Sequence, residues 1–272
     1  MATELAIQAN TPSEQIPSVY HRFKRVFSNE KSQRFPESHL WDHAIDLLPD
    51  APQTLNCQIY PLPQGQQQEL DKFIDEHLKK GYICHSNSPY ASPFFFIKKK
   101  NGKLHPVQDY RKLNEYTVKN TYPLLLIKEL IIQLINKKWF TKLDIHWGYN
   151  NIHIKDGDQW KTAFKTNRGL FECMAMFFGL TNSPATFQTM IDALFREEIT
   201  AGRVIIYMDD ILIITESNDI NDHIEMVTRV LSILEANDLF LNPEKCHFHK
   251  REVEYLSIIV GKGQVKMDPI KV

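Results

Sequence analysis

Several things this sequence lacks set its limits. Glycine is scarce, ten in 272 residues, and none precedes Gly65. No Gly-rich phosphate loop is present. The four cysteines, Cys57, Cys84, Cys173 and Cys246, stand far apart. Without a C-x-x-C pair they form neither a zinc ribbon nor a dithiol redox motif, and they read as thiols of a reducing compartment. No stretch approaches the ~18 uncharged apolar residues of a membrane span. The first residues, MATELAIQANTPSEQ, lack the basic and apolar regions of a signal peptide, so a cytoplasmic location is expected. Net charge is small, −1, which does not by itself advertise a polyanionic partner.

What is present is a globular profile, 43% hydrophobic and 24% charged, long enough for one large domain or two smaller ones. Charge is unevenly spread. Residues 79–119 hold nine Lys or Arg against only Asp109 and Glu115. That zone is either a phosphate-binding face or a solvated lysine-rich loop. Residues 1–63 carry seven of the fourteen prolines and read as an extended arm with a short helix near Tyr20–Phe27.

Periodicity then predicts the elements. Leu70, Phe73, Ile74, His77 and Leu78 give an amphipathic helix ending at a Gly81 cap. SPYASPFFFIKKKNGKLHPVQDY reads as two strands with a turn at Asn101-Gly102. A helix follows Pro123 and runs to about Asn136, then a strand, KKWFTKLDI. Short strands fill 151–178. A helix begins at Asn182-Ser183-Pro184, and another spans 219–238 with Ile224, Val227, Leu231 and Leu234 inward. Strands near Val253–Val260 end the chain. The expected fold class is α+β, an antiparallel sheet backed by helices.

VIIYMDDILII, residues 204–214, sets two carboxylates in an apolar run. As a hairpin, its turn falls near Met208–Asp210 and puts Asp209 and Asp210 at the tip, spared deep burial. A polar turn is the alternative reading. A third acid, Asp144, ends the strand TKLDI 65 residues before Asp209. Carboxylates that converge repel unless cations sit between them, and Mg²⁺ prefers such hard oxygen ligands. Two ions together support phosphoryl transfer. A two-carboxylate glycosidase fits less well, since adjacent strand residues point apart. Cys246, His247 and His249 lack a fourth ligand for a metal.

The ordered set SPYASPFFFIKKKNGKLHPVQDYRKLN, YPLLLIKEL, WFTKLDIHWGYNNIHI, KTAFKTNRGLFECMAMFFGLTNSPATFQTMI, YMDD and LNPEKCHF resembles the reverse transcriptase of gypsy-type (Metaviridae) LTR retrotransposons, close to fungal-type copies. The resemblance implies a right-hand polymerase fold with the thumb absent. After an N-terminal arm (1–63), residues 64–272 would form the reverse transcriptase domain, with fingers at about 64–137 and 150–180 and palm at about 138–149 and 181–260. It implies RNA-directed DNA polymerase activity, two Mg²⁺ ions (Mn²⁺ as substitute) and an RNA template, a DNA primer and dNTPs as partners. RNase H and integrase of a polyprotein would be further partners, and a virus-like particle or the nucleus alternative locations.

Residue by residue, the resemblance makes Asp144, Asp209 and Asp210 catalytic and metal-binding, with the Ile145 carbonyl assisting at one metal. Lys99, His105, Tyr149 and Phe178 would contact the dNTP; for Tyr149 an ordinary core aromatic is the alternative. Arg111, Tyr207, Met208, Tyr255 and Leu256 would contact template or primer. The chain also departs from the pattern. His105 stands where the family has a triphosphate-clamping Arg, Cys84-His85 where it has Arg-Pro, Cys173 near a usual Pro, and Ser257 at the primer-grip glycine. The reading is of a drifting element copy, with a non-catalytic nucleic-acid-binding remnant as the alternative function.

Overall fold

A computed structural model describes residues 16–98, 102–123, 132–256, 258–261 and 264–267. In chain order the elements are β1 (Leu55–Asn56), α1 (Gln64–Lys79), β2 (Ile83–His85), β3 (Tyr90–Lys98), β4 (Leu104–Gln108), α2 (Arg111–Glu115), β5 (Trp139–Asp144), β6 (Phe164–Thr166) and β7 (Gly169–Cys173). There follow α3 (Ser183–Leu194), α4 (Arg196–Thr200), β8 (Val204–Tyr207), β9 (Asp210–Thr215), α5 (Ile220–Ala236), β10 (His247–Lys250), β11 (Glu252–Tyr255), β12 (Ile258–Gly261) and β13 (Gln264–Met267). Among the described residues, no helix is long and apolar enough to cross a membrane.

These elements divide into two compact units. The first holds the described residues of Met1–Ser32, Leu125–His146 and Asp192–Val272; the second holds those of Gln33–Leu124 and Trp147–Ile191. The described residues of the proline-rich segment are divided between the units at Ser32/Gln33. Its expected helix is a short 3₁₀ turn, Ser18–Phe23, which buries Tyr20 and Phe23 in the first unit.

In the second unit, β1, β3, β6, β7 and β2 run in that order, and β4 pairs with β3. Leu70, Phe73 and Ile74 of α1 pack with Phe94, Phe164, Phe171 and Phe177. The helix stops as expected. Gly81 has φ +75, and the Gly81 and Tyr82 amides donate back to the Leu78 and His77 carbonyls (3.1 and 3.0 Å), a Schellman cap. Gly102, at φ +80, sits at the predicted hairpin turn, whose Asn101 lies outside the described residues. The Asn182 side chain accepts from the Asn120 amide (2.9 Å) and donates to the Val118 carbonyl (2.8 Å), so it ties down a neighbouring loop.

The first unit carries the apolar run. Its four-stranded sheet has the order β10-β5-β9-β8, all antiparallel. Cross-strand partners share a face. Phe140 faces Ile214, Lys142 faces Leu212 and Asp144 faces Asp210. That face packs on Val253 and Tyr255 of β11 and Ile258 and Val260 of β12. The opposite face, with Thr141, Leu143, Ile211 and Ile213, meets α5. Buried along α5 are His223, Met226, Val227, Val230, Leu231 and Leu234, while the expected Ile224 is only half-buried. The stripe is rotated because His223 is held inward by two hydroxyl groups, Thr141 (2.8 Å) and Thr215 (2.6 Å). Burial drives its imidazole down to about 4, so it stays neutral. A hydrophobic count cannot foresee a polar residue that finds partners on a sheet it has yet to meet.

Candidate active site

Two strands at the centre of the four-stranded sheet bring the acids together. Trp139–Asp144 and Asp210–Thr215 are antiparallel neighbours, and their register ends with Asp144 directly opposite Asp210. Tyr207 pairs with Asp210 across a two-residue turn, Met208–Asp209. Met208 takes φ +53, a conformation that costs a side-chain-bearing residue about 1 kcal/mol. The Ile145 amide donates to the Asp209 carbonyl (2.8 Å), pinning the turn to the end of β5. The three carboxylates expected from the sequence thus lie on one hairpin and the strand beside it.

Their electrostatics follow from crowding. Burial raises the Asp209 carboxyl from 3.8 to about 6, with further increments from Asp144 and Asp210. Its Oδ1 is buried with no hydrogen-bond partner. Asp144 is also raised, first by burial, although Lys245 opposes the shift. Each of the two outer acids holds a lysine. Lys245 Nζ lies 3.1 and 3.0 Å from the two Asp144 oxygens. Lys142 Nζ lies 3.1 Å from Asp210 Oδ1.

The donor set fits a hard divalent cation: three carboxylates, one of them presenting a buried oxygen that nothing satisfies. Among the described residues, however, no group of three His, Cys, Asp or Glu side chains stands arranged as a ready metal cage. The ammonium groups of Lys245 and Lys142 occupy the outer carboxylates. Cys246 is no ligand candidate. Its thiol donates to the Asn242 carbonyl (3.2 Å), and burial pushes it up to about 12.

Tyr255 was expected to contact primer. It is fully buried, and its hydroxyl donates to the Asp210 carbonyl at 3.1 Å. It acts as a prop under the hairpin, with Leu256, at φ +49, and Tyr207 packed on the same cluster. Tyr255→Phe should lower stability by about 1 kcal/mol in urea denaturation, because the carbonyl loses a buried donor while the ring still fills the core. Ser257, beside it, lies outside the described residues.

The second unit gathers the other predicted contacts. His105 on β4 faces Ile97 of β3. Its ring lies edge-on to Phe178 at 6.2 Å, and Tyr149 lies 4.7 Å from Phe178 and 5.7 Å from Phe187. Phe178 is half-exposed at 50%. Lys99 lies outside the described residues. Arg111 is committed locally: its Nε and Nη2 donate to the two oxygens of Asp109 at 2.8 and 2.6 Å. That guanidinium holds the Asp109 carboxyl below its ordinary value.

The loop bearing Phe178 is fixed from below. Asn114 Nδ2 donates to the Gly179 carbonyl (2.8 Å), and its Oδ1 accepts from the Thr181 amide (2.9 Å). Gly179 has φ +102, and a Cβ there would come within 3.2 Å of the Gln108 carbonyl oxygen. Gly179→Ala combines a disfavoured backbone with a tight contact. It should cost about 1–3 kcal/mol in urea unfolding, and unchanged stability would show that the loop relaxes freely.

Sequence reasoning missed the two lysines. Lys142 was accessible to it, since a residue two before Asp144 on a strand shares its face. Lys245 was visible only as a letter of LNPEKCHF, because its neighbour lies 101 residues away.

Residues 97–260 match the family described as "Reverse transcriptase (RNA-dependent DNA polymerase)". Among similar curated proteins are the Transposon Tf2-3 polyprotein of Schizosaccharomyces pombe, 35% identical over 91% of this chain and 18% of its own length, and the Retrovirus-related Pol polyprotein from transposon opus of Drosophila melanogaster, 37% identical over 95% of this chain and 26% of its own. The chain thus spans about a fifth to a quarter of these relatives. Among solved structures, the foamy viral protease-reverse transcriptase in complex with RNA/DNA hybrid aligns with TM-score 0.81 at 20% identity, over 96% of this chain and 34% of that one. Its form in complex with double-stranded DNA aligns with TM-score 0.82 at 21%, over 96% and 45%. At such identity the likeness establishes the fold.

Proposed function

This chain belongs to the reverse transcriptase family, and from that premise we propose that it is the RNA-directed DNA polymerase portion of a retrotransposon polyprotein. The observation that carries the reading is the hairpin: Asp144 opposite Asp210, with Asp209 in the turn and its Oδ1 unsatisfied. On this reading the first unit is the palm and the second the fingers.

Asp144, Asp209, Asp210 and the Ile145 carbonyl would hold two Mg²⁺ or Mn²⁺ ions. Bound there, the ions would act as Lewis acids on the attacking primer 3′-hydroxyl and the leaving pyrophosphate. The chain's own part is preorganisation. The Ile145–Asp209 hydrogen bond and the Tyr255 prop fix the backbone that carries the carboxylates, which limits their reorganisation during reaction. Tyr149 and Phe178 supply an aromatic surface for the sugar and base of a dNTP, with His105 beside them. Arg111 would reach a template phosphate by exchanging Asp109 for it. The relatives' names and the nucleic acids in the solved complexes support an RNA template and a DNA primer as partners.

The test is extension of a DNA primer on an RNA template with Mg²⁺ and dNTPs. Extension by the native chain, lost in Asp209→Asn, supports the reading. Template–primer binding without extension would replace it with a non-catalytic nucleic-acid-binding role.

A further inference from the structure

Lys245 holds Asp144 in a way an ordinary surface lysine does not. Its ammonium is equidistant from both carboxylate oxygens, 3.1 and 3.0 Å. The turn that carries it is fastened to the backbone of Asp144 itself. The Asn242 amide donates to the Asp144 carbonyl (2.9 Å), and the Lys245 amide closes the turn onto the Asn242 carbonyl (3.1 Å). The next residue, Ile145, is bridged to Leu241. The base of the side chain is therefore fixed, while its stem is free to swing: Lys245 is 63% exposed, against 13% for Asp144. Lys142 is the contrast. It is only 20% exposed and sits 5.9 Å from the centre of the Tyr255 ring, so it is captive on Asp210.

We propose that Lys245 is a displaceable counter-ion of Asp144, which lowers the divalent-metal affinity of the hairpin until a nucleotide polyphosphate draws its ammonium away. The inference rests on the polymerase reading of the acids. Its logic is charge balance. Three carboxylates facing two ammonium groups leave a single net negative charge, too little to hold two dications. A dication on Asp144 would also share its ligand with an ammonium about 3 Å off, a repulsion that persists even in a water-like dielectric. An incoming polyphosphate supplies the missing negative charge and a better partner for the lysine. Metal binding thereby becomes coupled to the presence of substrate.

The experiment is Mn²⁺ titration of the full chain by calorimetry, with and without a non-hydrolysable dNTP analogue. Without nucleotide, Lys245→Met, which keeps the stem and removes the charge, should bind Mn²⁺ roughly tenfold more tightly than the native chain. Lys245→Arg should stay close to native. The analogue should tighten Mn²⁺ binding in the native chain more than in Lys245→Met. In an Asp144→Asn background the effect of Lys245→Met should vanish, which assigns it to this pair. If Lys245→Met is poorly folded by circular dichroism, Lys245→Gln takes its place with the same expectation. Equal Mn²⁺ affinity in native and Lys245→Met chains overturns the proposal and leaves the polymerase reading standing. Absence of Mn²⁺ binding in both overturns the two together.

Discussion

Asp209→Asn is expected to abolish primer extension while making the metal-free chain more stable. On the proposed two-metal reading, loss of this carboxylate would remove several kcal/mol of transition-state stabilisation, so extension should fall by at least about a thousandfold. Stability moves the other way because the native carboxyl is strained by its surroundings. An unfolded Asp209 titrates near 3.8 and the folded one at about 6, so the folded state binds the proton more tightly. Stability from this group is full below pH 3.8, is lost as pH rises through about 6, and stays absent at neutral pH. The gap corresponds to roughly 3 kcal/mol of destabilisation in neutral solution. Asparagine removes the charge but buries an amide, so a net gain of about 1–2 kcal/mol is expected. That is an increase of roughly 2–8 °C in melting temperature. Scanning calorimetry at pH 4 and 7.5 checks it: the two chains should converge at the lower pH and separate at the higher. Mg²⁺ should raise the melting temperature of the native chain and leave that of Asp209→Asn nearly unchanged. A lower melting temperature for the variant at pH 7.5 in EDTA would mean that the turn needs this carboxylate structurally.

The second large effect should come from a gain. His105→Arg is expected to raise dNTP incorporation by one to two decades. An imidazole is short and ordinarily changes charge near pH 6.5, whereas a guanidinium is always charged and offers a planar fork of donors. One charged hydrogen bond to a triphosphate contributes about 1.5–3 kcal/mol, which sets the expected range. Position 105 suits the substitution. It lies on a strand, opposite Ile97, whose side chain is 48% exposed, with Phe178 at its edge. The gain should appear mainly as a lower KM for dNTP if the fork binds ground and transition states alike. Single-nucleotide incorporation at varied dNTP concentration resolves this, and an unchanged rate at all concentrations rejects the damaged-clamp interpretation.

Much of the fold was legible from local pattern. The Gly81 cap, the strands either side of Gly102 and the hairpin at Met208–Asp209 all follow from short-range backbone preferences. The acids were legible for the same reason, since Asp144 ends an apolar strand, Asp210 begins one and Asp209 sits in the turn between two. What local pattern could not show was which groups a side chain meets across distance. Tyr255 lies in the core, and Asn182 ties down a neighbouring loop.

The sequence by itself determined that two carboxylates would stand at a hairpin tip and a third at a strand end. The alternation of apolar residues decides which faces are buried, and that information is local. Only the tertiary structure decided what surrounds those carboxylates: Asp210 opposite Asp144, Lys245 on one acid and Lys142 on the other, and Asp209 left with a buried, unsatisfied oxygen. Those relations join residues as much as 101 positions apart. Their energies depend on distance and burial, which no residue carries until its strand has found its partner.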